Sequence, residues 1–192
     1  MERKVSKRID IVRCEESTEI IIKAYFNEVK QKMFFAWIAL WTLSGLLIFS
    51  QFFLNYTQKE KVFFIVWMAF WVYFEFKALQ TYRWRKLGEE HIRINKKEIT
   101  IARNIANKGI PATFKLNGCK NFRLYKKEEK GMFTEIMSSS YWVIGGETIV
   151  FDYYGSLVPF AMNISEADAL LLAGILKHDA KKFLQLSEQK ES

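Results

Sequence analysis

The sequence predicts an α+β membrane protein, with a two-helix transmembrane hairpin plus a cytoplasmic antiparallel β-rich domain closed by a C-terminal helix. Three observations predict it. Residues 33–82 hold ten of the 17 Phe and four of the six Trp, in two apolar runs joined by the short polar link 55–61. Residues 8–26 and 89–161 set β-branched side chains against polar ones at the period of strands. From Ser165 onward the apolar residues recur at helical spacing instead. Three regions follow: 1–32, an N-terminal β-hairpin joining the C-terminal sheet; 33–82, the helical hairpin with arms 33–54 and 62–82; and 83–192, the β domain with its helix at 165–186.

Taken in order, residues 1–7 are charged and expected to be loose. Ile9, Ile11 and Val12, a polar corner at Glu15, Glu16 and Ser17, and then Ile20, Ile21 and Ile22 predict two strands and a turn. A lone hairpin is marginal in water, so it needs a later partner. The arm 33–54 carries no charged side chain and meets the ~20 residues needed to cross ~30 Å of hydrocarbon. The second arm is free of charge from Val62 to Glu75, then carries Lys77, and ends at the cluster Arg83, Arg85 and Lys86. Lysine and arginine gather near the outer ends of both arms, which predicts both termini in the cytoplasm. No cleavable secretory signal is expected, because the run before Met33 is long and contains Glu15, Glu16, Glu19 and Glu28.

Within the hairpin Trp37 and Trp41 are four apart, as are Trp67 and Trp71, so each pair shares a helix face. Gly45, beside Ser44, permits close backbone approach. These faces are read as holding the two helices together, with a quinone or lipid slot as the other reading. Glu75 lies ~20 Å along its helix. At that depth a carboxyl is either protonated, hydrogen-bonded or close to snorkelling Lys77, or it is functional.

Beyond Gly88 the alternation predicts strands at 89–95, 98–106, 110–116, 120–125, 140–144, 148–153 and 157–161. Asn95, Lys96 and Lys97 form a corner, Gly145 and Gly146 suit a tight turn, and 126–131 is a charged loop. Ser165 is the expected N-cap of the final helix, with Asp168 at its third position. Ala169, Leu172, Leu176, Ala180, Phe183 and Leu184 form its apolar stripe.

The order of these elements, with YWVIGGETIVFDYYG at Tyr141 to Gly155 and NISEADALLL at Asn163 to Leu172, resembles the bacterial membrane-anchored proteins with a pleckstrin-homology-like (PH-like) domain. The resemblance implies a small protein of the inner (plasma) membrane whose cytoplasmic domain serves in protein or lipid contact. The N-terminal strand pair departs from a minimal PH-like module.

No catalytic signature is present: the chain lacks a phosphate-binding loop, a nucleophile elbow, a zinc-protease helix and a dinucleotide fingerprint. His91 and His178 have no ligand-spaced neighbours and are expected at the surface, and Glu128 and Glu129 are too close in sequence to straddle a substrate. Cys14 and Cys119, single and far apart, are expected as buried reduced thiols. Asn55, Tyr56 and Thr57 match a glycosylation sequon that lies against the membrane. No metal or other cofactor is therefore expected. The net charge of +8 is concentrated at 83–130, with 14 Lys/Arg against five Glu. Beside a membrane segment that excess points to anionic headgroups rather than nucleic acid. Arg83, Arg85 and Lys86 are the expected headgroup contacts. Arg93, Lys96, Lys97 and Arg103, around the first strand corner, are further candidates, against the plainer reading of solvated turn charges. The expected function is non-enzymatic: an integral membrane protein that binds lipid or a protein partner through its cytoplasmic domain. The alternative is a subunit or assembly factor of a larger membrane complex; a transporter or enzyme would need the hairpin to oligomerise around Glu75, and a homo-oligomer is among the partners considered.

Overall fold

Rows of isoleucine build the larger sheet. Ile11, Ile20, Ile92 and Ile101 are successive cross-strand partners, flanked by the pairs Ile9 with Ile22 and Ile94 with Ile99. All eight are buried on one face, as period-2 alternation requires. In the computed structural model, which describes residues 2–126 and 140–191, these rows lie in β2 (Ile9–Arg13), β3 (Ser17–Lys23), β4 (Gly88–Asn95) and β5 (Glu98–Ile105). β1 (Glu2–Ser6) and β6 (Pro111–Lys115) complete an antiparallel six-stranded sheet in the order β1-β2-β3-β4-β5-β6. A second sheet, β7 (Cys119–Leu124), β8 (Glu147–Tyr153) and β9 (Ser156–Met162), is also antiparallel. Its Ile149, Phe151 and Phe160 join the isoleucines in one core, which Ala169, Leu172, Leu176, Ala180 and Phe183 of the C-terminal helix also enter.

The helical hairpin is inserted between two adjacent strands. β3 pairs with β4 from Ser17 opposite Asn95 to Lys23 opposite Glu89, and everything between them forms α1 (Glu28–Ser50) and α2 (Gln58–Leu87). Asn27 caps α1 by accepting from the Lys30 N–H, and Thr57 with Glu60 forms a capping box on α2. α2 runs into β4 with no loop: Gly88 caps the helix and starts the strand, and the Ala24 N–H donates to the Gly88 carbonyl at 2.9 Å. A side chain at Gly88 would meet the Trp84 carbonyl and indole. Both legs are thus fastened to the sheet.

Several expectations need correction. Residues 2–6 are an edge strand, not a loose tail. α1 starts at Glu28, ahead of its apolar arm, whereas α2 starts four residues before Val62 and runs five residues past Tyr82, so Arg83, Arg85 and Lys86 lie on its last turns. At 30 residues α2 is ~45 Å long, more than hydrocarbon requires. Residues 141–144 form turns rather than a strand, because their aromatic side chains pack on the hairpin, as described below. The tight turn of the second sheet is Tyr154 and Gly155, with φ 47° and 87°, between the paired Tyr153 and Ser156. Gly146 instead holds φ 89° beside Asn163. The C-terminal helix α3 (Glu166–Glu191) passes 186, and Ser165 accepts from the Asp168 N–H as its cap. Cys14 is exposed, whereas Cys119 is buried. Glu128, Glu129 and most of the 126–131 loop lie outside the described residues.

α1 and α2 are long and apolar enough to cross a membrane, and only 17% and 6% of their most apolar windows are buried.

Candidate functional site

The candidate site is the junction where the hairpin enters the sheet. A seam of Gln31, Phe34, Ile38 and Gly45 runs down α1 at spacings of three, four and seven and faces Tyr82, Ala78, Glu75 and Trp71 of α2. Gln31 Nε2 donates to the Tyr82 carbonyl at 3.2 Å, and Phe34 and Tyr82 meet edge to face. Thr42 Oγ1 lies 2.9 Å from Glu75 Oε1 and 2.8 Å from the Ile38 carbonyl. Trp71 lies across Gly45, where any Cβ would stand inside its indole, and its Nε1 donates to the Trp41 carbonyl at 3.0 Å. Trp67 tilts on Trp41 at 6.3 Å, so Gly45, Trp41, Trp67 and Trp71 meet between the helices. Trp37 stacks on Trp41, with 7° between the rings, but is 43% exposed and faces a groove. Among the described residues, two buried polar atoms of the hairpin have no partner, Trp41 Nε1 and Glu75 Oε2.

The segment 140–144 closes one side of the junction. Arg85, which is 3% exposed, donates to the carbonyls of Tyr141 at 3.1 Å, Val143 at 2.9 Å and Ser140 at 3.3 Å, and lies 4.8 Å from the Tyr141 ring centre. Tyr141 Oη donates to Gln31 Oε1 at 2.8 Å, and Trp142 meets Phe34 edge to face at 4.5 Å. Between this segment and the two helices is a groove of about 790 Å³ lined by Trp37, Trp41, Phe74, Lys77 and Trp142. Its walls are aromatic, and Lys77 lies 5.9 Å from the Tyr73 ring centre. On the other side, a cavity of about 500 Å³ is lined by Arg8, Lys23, Phe26, Arg85 and Lys86.

The expected cations are therefore divided. Arg85 is buried and clamps 140–143, its Nε and Nη2 donating to three carbonyls. Arg83 and Lys86 are exposed on α2. Arg93 pairs with Glu19 at 3.3 Å and Lys96 with Glu16 at 3.2 Å. The corner holding Lys96 and Lys97 lies one strand length, ~23 Å, from the helix end, so β4 carries Arg93, Lys96 and Lys97 away from the hairpin. Arg103 returns toward it and bonds Glu147 at 3.0 Å and Glu90 at 3.5 Å. Glu90 is fully buried and accepts from the Met162 N–H at 2.9 Å. Burial pushes its carboxyl up from the ordinary range, against the pull of Arg103 and that N–H.

His91 does have a carboxylate neighbour, Glu89 Oε2 at 3.2 Å, while His178 is exposed. Among the described residues no three His, Cys, Asp or Glu side chains form a cluster suited to a metal. Sequence reasoning missed Gln31, Tyr141, Trp142 and Arg8 at the junction. Gln31 had a signal: it stands one seam position before Phe34. No protein-family model matches the chain, and no curated protein or solved structure matches it either.

Proposed function

We propose that this chain is a non-enzymatic integral protein of the bacterial inner (plasma) membrane, anchored by its helical hairpin with both termini in the cytoplasm. Its PH-like β domain serves there as a binding module for a protein or for the lipid surface. The observation that carries this reading is the uncovered apolar surface of α1 and α2. Leu40, Leu43, Leu46 and Leu47 on one helix, and Phe63, Val66 and Phe70 on the other, are all more than half exposed. Water disfavours an apolar surface of that extent, and lipid accepts it. Two antiparallel sheets under one C-terminal helix support the PH-like reading, and the cations at the hairpin's outer ends support the orientation. Carbonate extraction of native membranes tests the anchor: the chain is expected in the pellet, and release to the supernatant overturns the reading. Reporters fused at Met1 and Ser192 test the orientation and are expected on the same, cytoplasmic face.

A second reading, a subunit or assembly factor of a larger membrane complex, is favoured by the aromatic groove and by the unpartnered Trp41 Nε1 and Glu75 Oε2. Purification in mild detergent separates the two. A stoichiometric integral-membrane partner supports the second reading, and recovery of the chain without one supports the first.

A further inference from the structure

Two guanidinium groups at the junction are held entirely by main-chain oxygen. Arg8 donates to the Lys23 carbonyl from Nε at 2.9 Å and Nη2 at 2.7 Å, and to the Asn163 carbonyl from Nη1 at 2.7 Å. Arg85 bonds only carbonyls, as described above. Carbonyls satisfy N–H groups without cancelling a positive charge. Among the described residues no carboxylate forms an ion pair with either arginine. Burial lowers the pKa of Arg8, and the nearby charge of Arg85 lowers it further, against smaller opposing pulls from Tyr25 and Asp168.

Both arginines line the 500 Å³ cavity, together with Lys23 and Lys86. Lys86 is exposed and, among the described residues, forms no ion pair, while Lys23 faces Asp10 at 3.7 Å. The one acidic residue of the lining, Glu89, is turned to His91 at 3.2 Å. Four cations thus line one cavity with a single carboxylate, Glu89, while Asp10 reaches Lys23 from outside the lining. Phe26 and Lys86 also line a second groove of about 340 Å³ that continues along the hairpin past Phe35 and Tyr82.

We propose that this cavity binds a phosphate group, with Lys23 and Lys86 closing on its oxygens and the fixed charges of Arg8 and Arg85 behind them. A phosphate supplies the charge that the carbonyls cannot, and guanidinium and ammonium groups are its usual partners. The phosphate belongs either to an anionic lipid, whose chain follows Phe26, Phe35 and Tyr82, or to a soluble molecule. The lipid source rests on the membrane reading above; the soluble source does not.

The full chain in non-ionic detergent is titrated with inorganic phosphate and followed calorimetrically. In parallel, nanodiscs of phosphatidylcholine with phosphatidylglycerol are opened for native mass spectrometry of the retained lipid. Lys23→Gln/Lys86→Gln removes the two exposed ammoniums, melting curves confirm its fold, and Lys177→Gln, exposed on the C-terminal helix and outside both linings, is the control. Binding is expected to fall about fivefold per lysine removed and to be unchanged in Lys177→Gln. Preferential retention of phosphatidylglycerol assigns the site to lipid, and binding of inorganic phosphate without that preference assigns it to a soluble phosphate. Equal binding by wild type and the double variant in both arms overturns the proposal, as does an equal loss in Lys177→Gln. Failure of carbonate extraction leaves the inorganic-phosphate arm standing, so the two readings fail separately.

Discussion

The β domain and the hairpin treat buried polarity differently. In the domain, Asp179 accepts from Thr18 Oγ1 at 3.0 Å and faces Arg13 at 3.5 Å, and Glu90 has Met162 N–H and Arg103. In the hairpin, Glu75 has one partnered oxygen and one bare, and the Trp41 N–H is bare as well. Its outer faces are also uncovered hydrocarbon. The domain closes its own hydrogen bonds and core. The hairpin is completed by what surrounds it.

That contrast predicts where substitutions act. Ile20 has no exposure and two isoleucine cross-strand partners, so Ile20→Ala is expected to cost the domain about 2–5 kcal/mol. Chemical denaturation followed by far-ultraviolet circular dichroism measures it, and a loss below 1 kcal/mol would contradict a core shared by both sheets. Gly45→Val drives a side chain into the Trp71 indole and is expected to cost the hairpin about 1–3 kcal/mol. Here the readout is tryptophan fluorescence during unfolding in detergent. The comparison is broken if the domain's melting moves as much as the hairpin's.

Glu90 gives the domain a pH dependence. Its folded pKa lies above the unfolded one, so the native state holds the proton more tightly. Its contribution to stability is therefore complete below the ordinary Glu value of ~4.3 and is lost as pH rises through the raised folded value. Glu90→Gln keeps a polar group against Met162 and is expected to remove that decline. Melting curves of both proteins across the range give the difference directly, and parallel curves would refute the assignment. The smallest effect concerns the thiols. Burial pushes Cys119 up to about 11, whereas Cys14 is exposed. A maleimide is expected to label Cys14 in the folded protein at neutral pH and Cys119 only on unfolding.

The same contrast governs what was legible beforehand. The isoleucine strands and the apolar helices declare themselves by period, since each buries or exposes whole faces. Glu2 to Ser6 carries charge at alternate and adjacent positions alike, so its place as an edge strand comes from pairing with β2 and not from pattern. Tyr141 to Ile144 reads as a strand because it is aromatic and β-branched. Its apolarity serves helix contacts at Phe34 instead. Arg85 reads as one member of a basic cluster, and only the fold shows that its helical face meets the carbonyls of a segment 55 to 58 residues away. Contacts of that range leave no local trace in sequence. The cavity of Arg8 and Arg85 is hidden for the same reason.

Lys23 and Glu89 form the last register pair of two neighbouring antiparallel strands, so the hairpin occupies the place of an ordinary β-turn. Replacing residues 24–88 by a two-residue Asn-Gly turn would join those strands with the register intact. Of the segments outside the excision, 140–143 would lose the most, because its aromatic side chains would have nothing to lie on. With polar residues in place of Tyr141 and Trp142, the two sheets and their helix form a natural template for a detachable, water-soluble version of the chain.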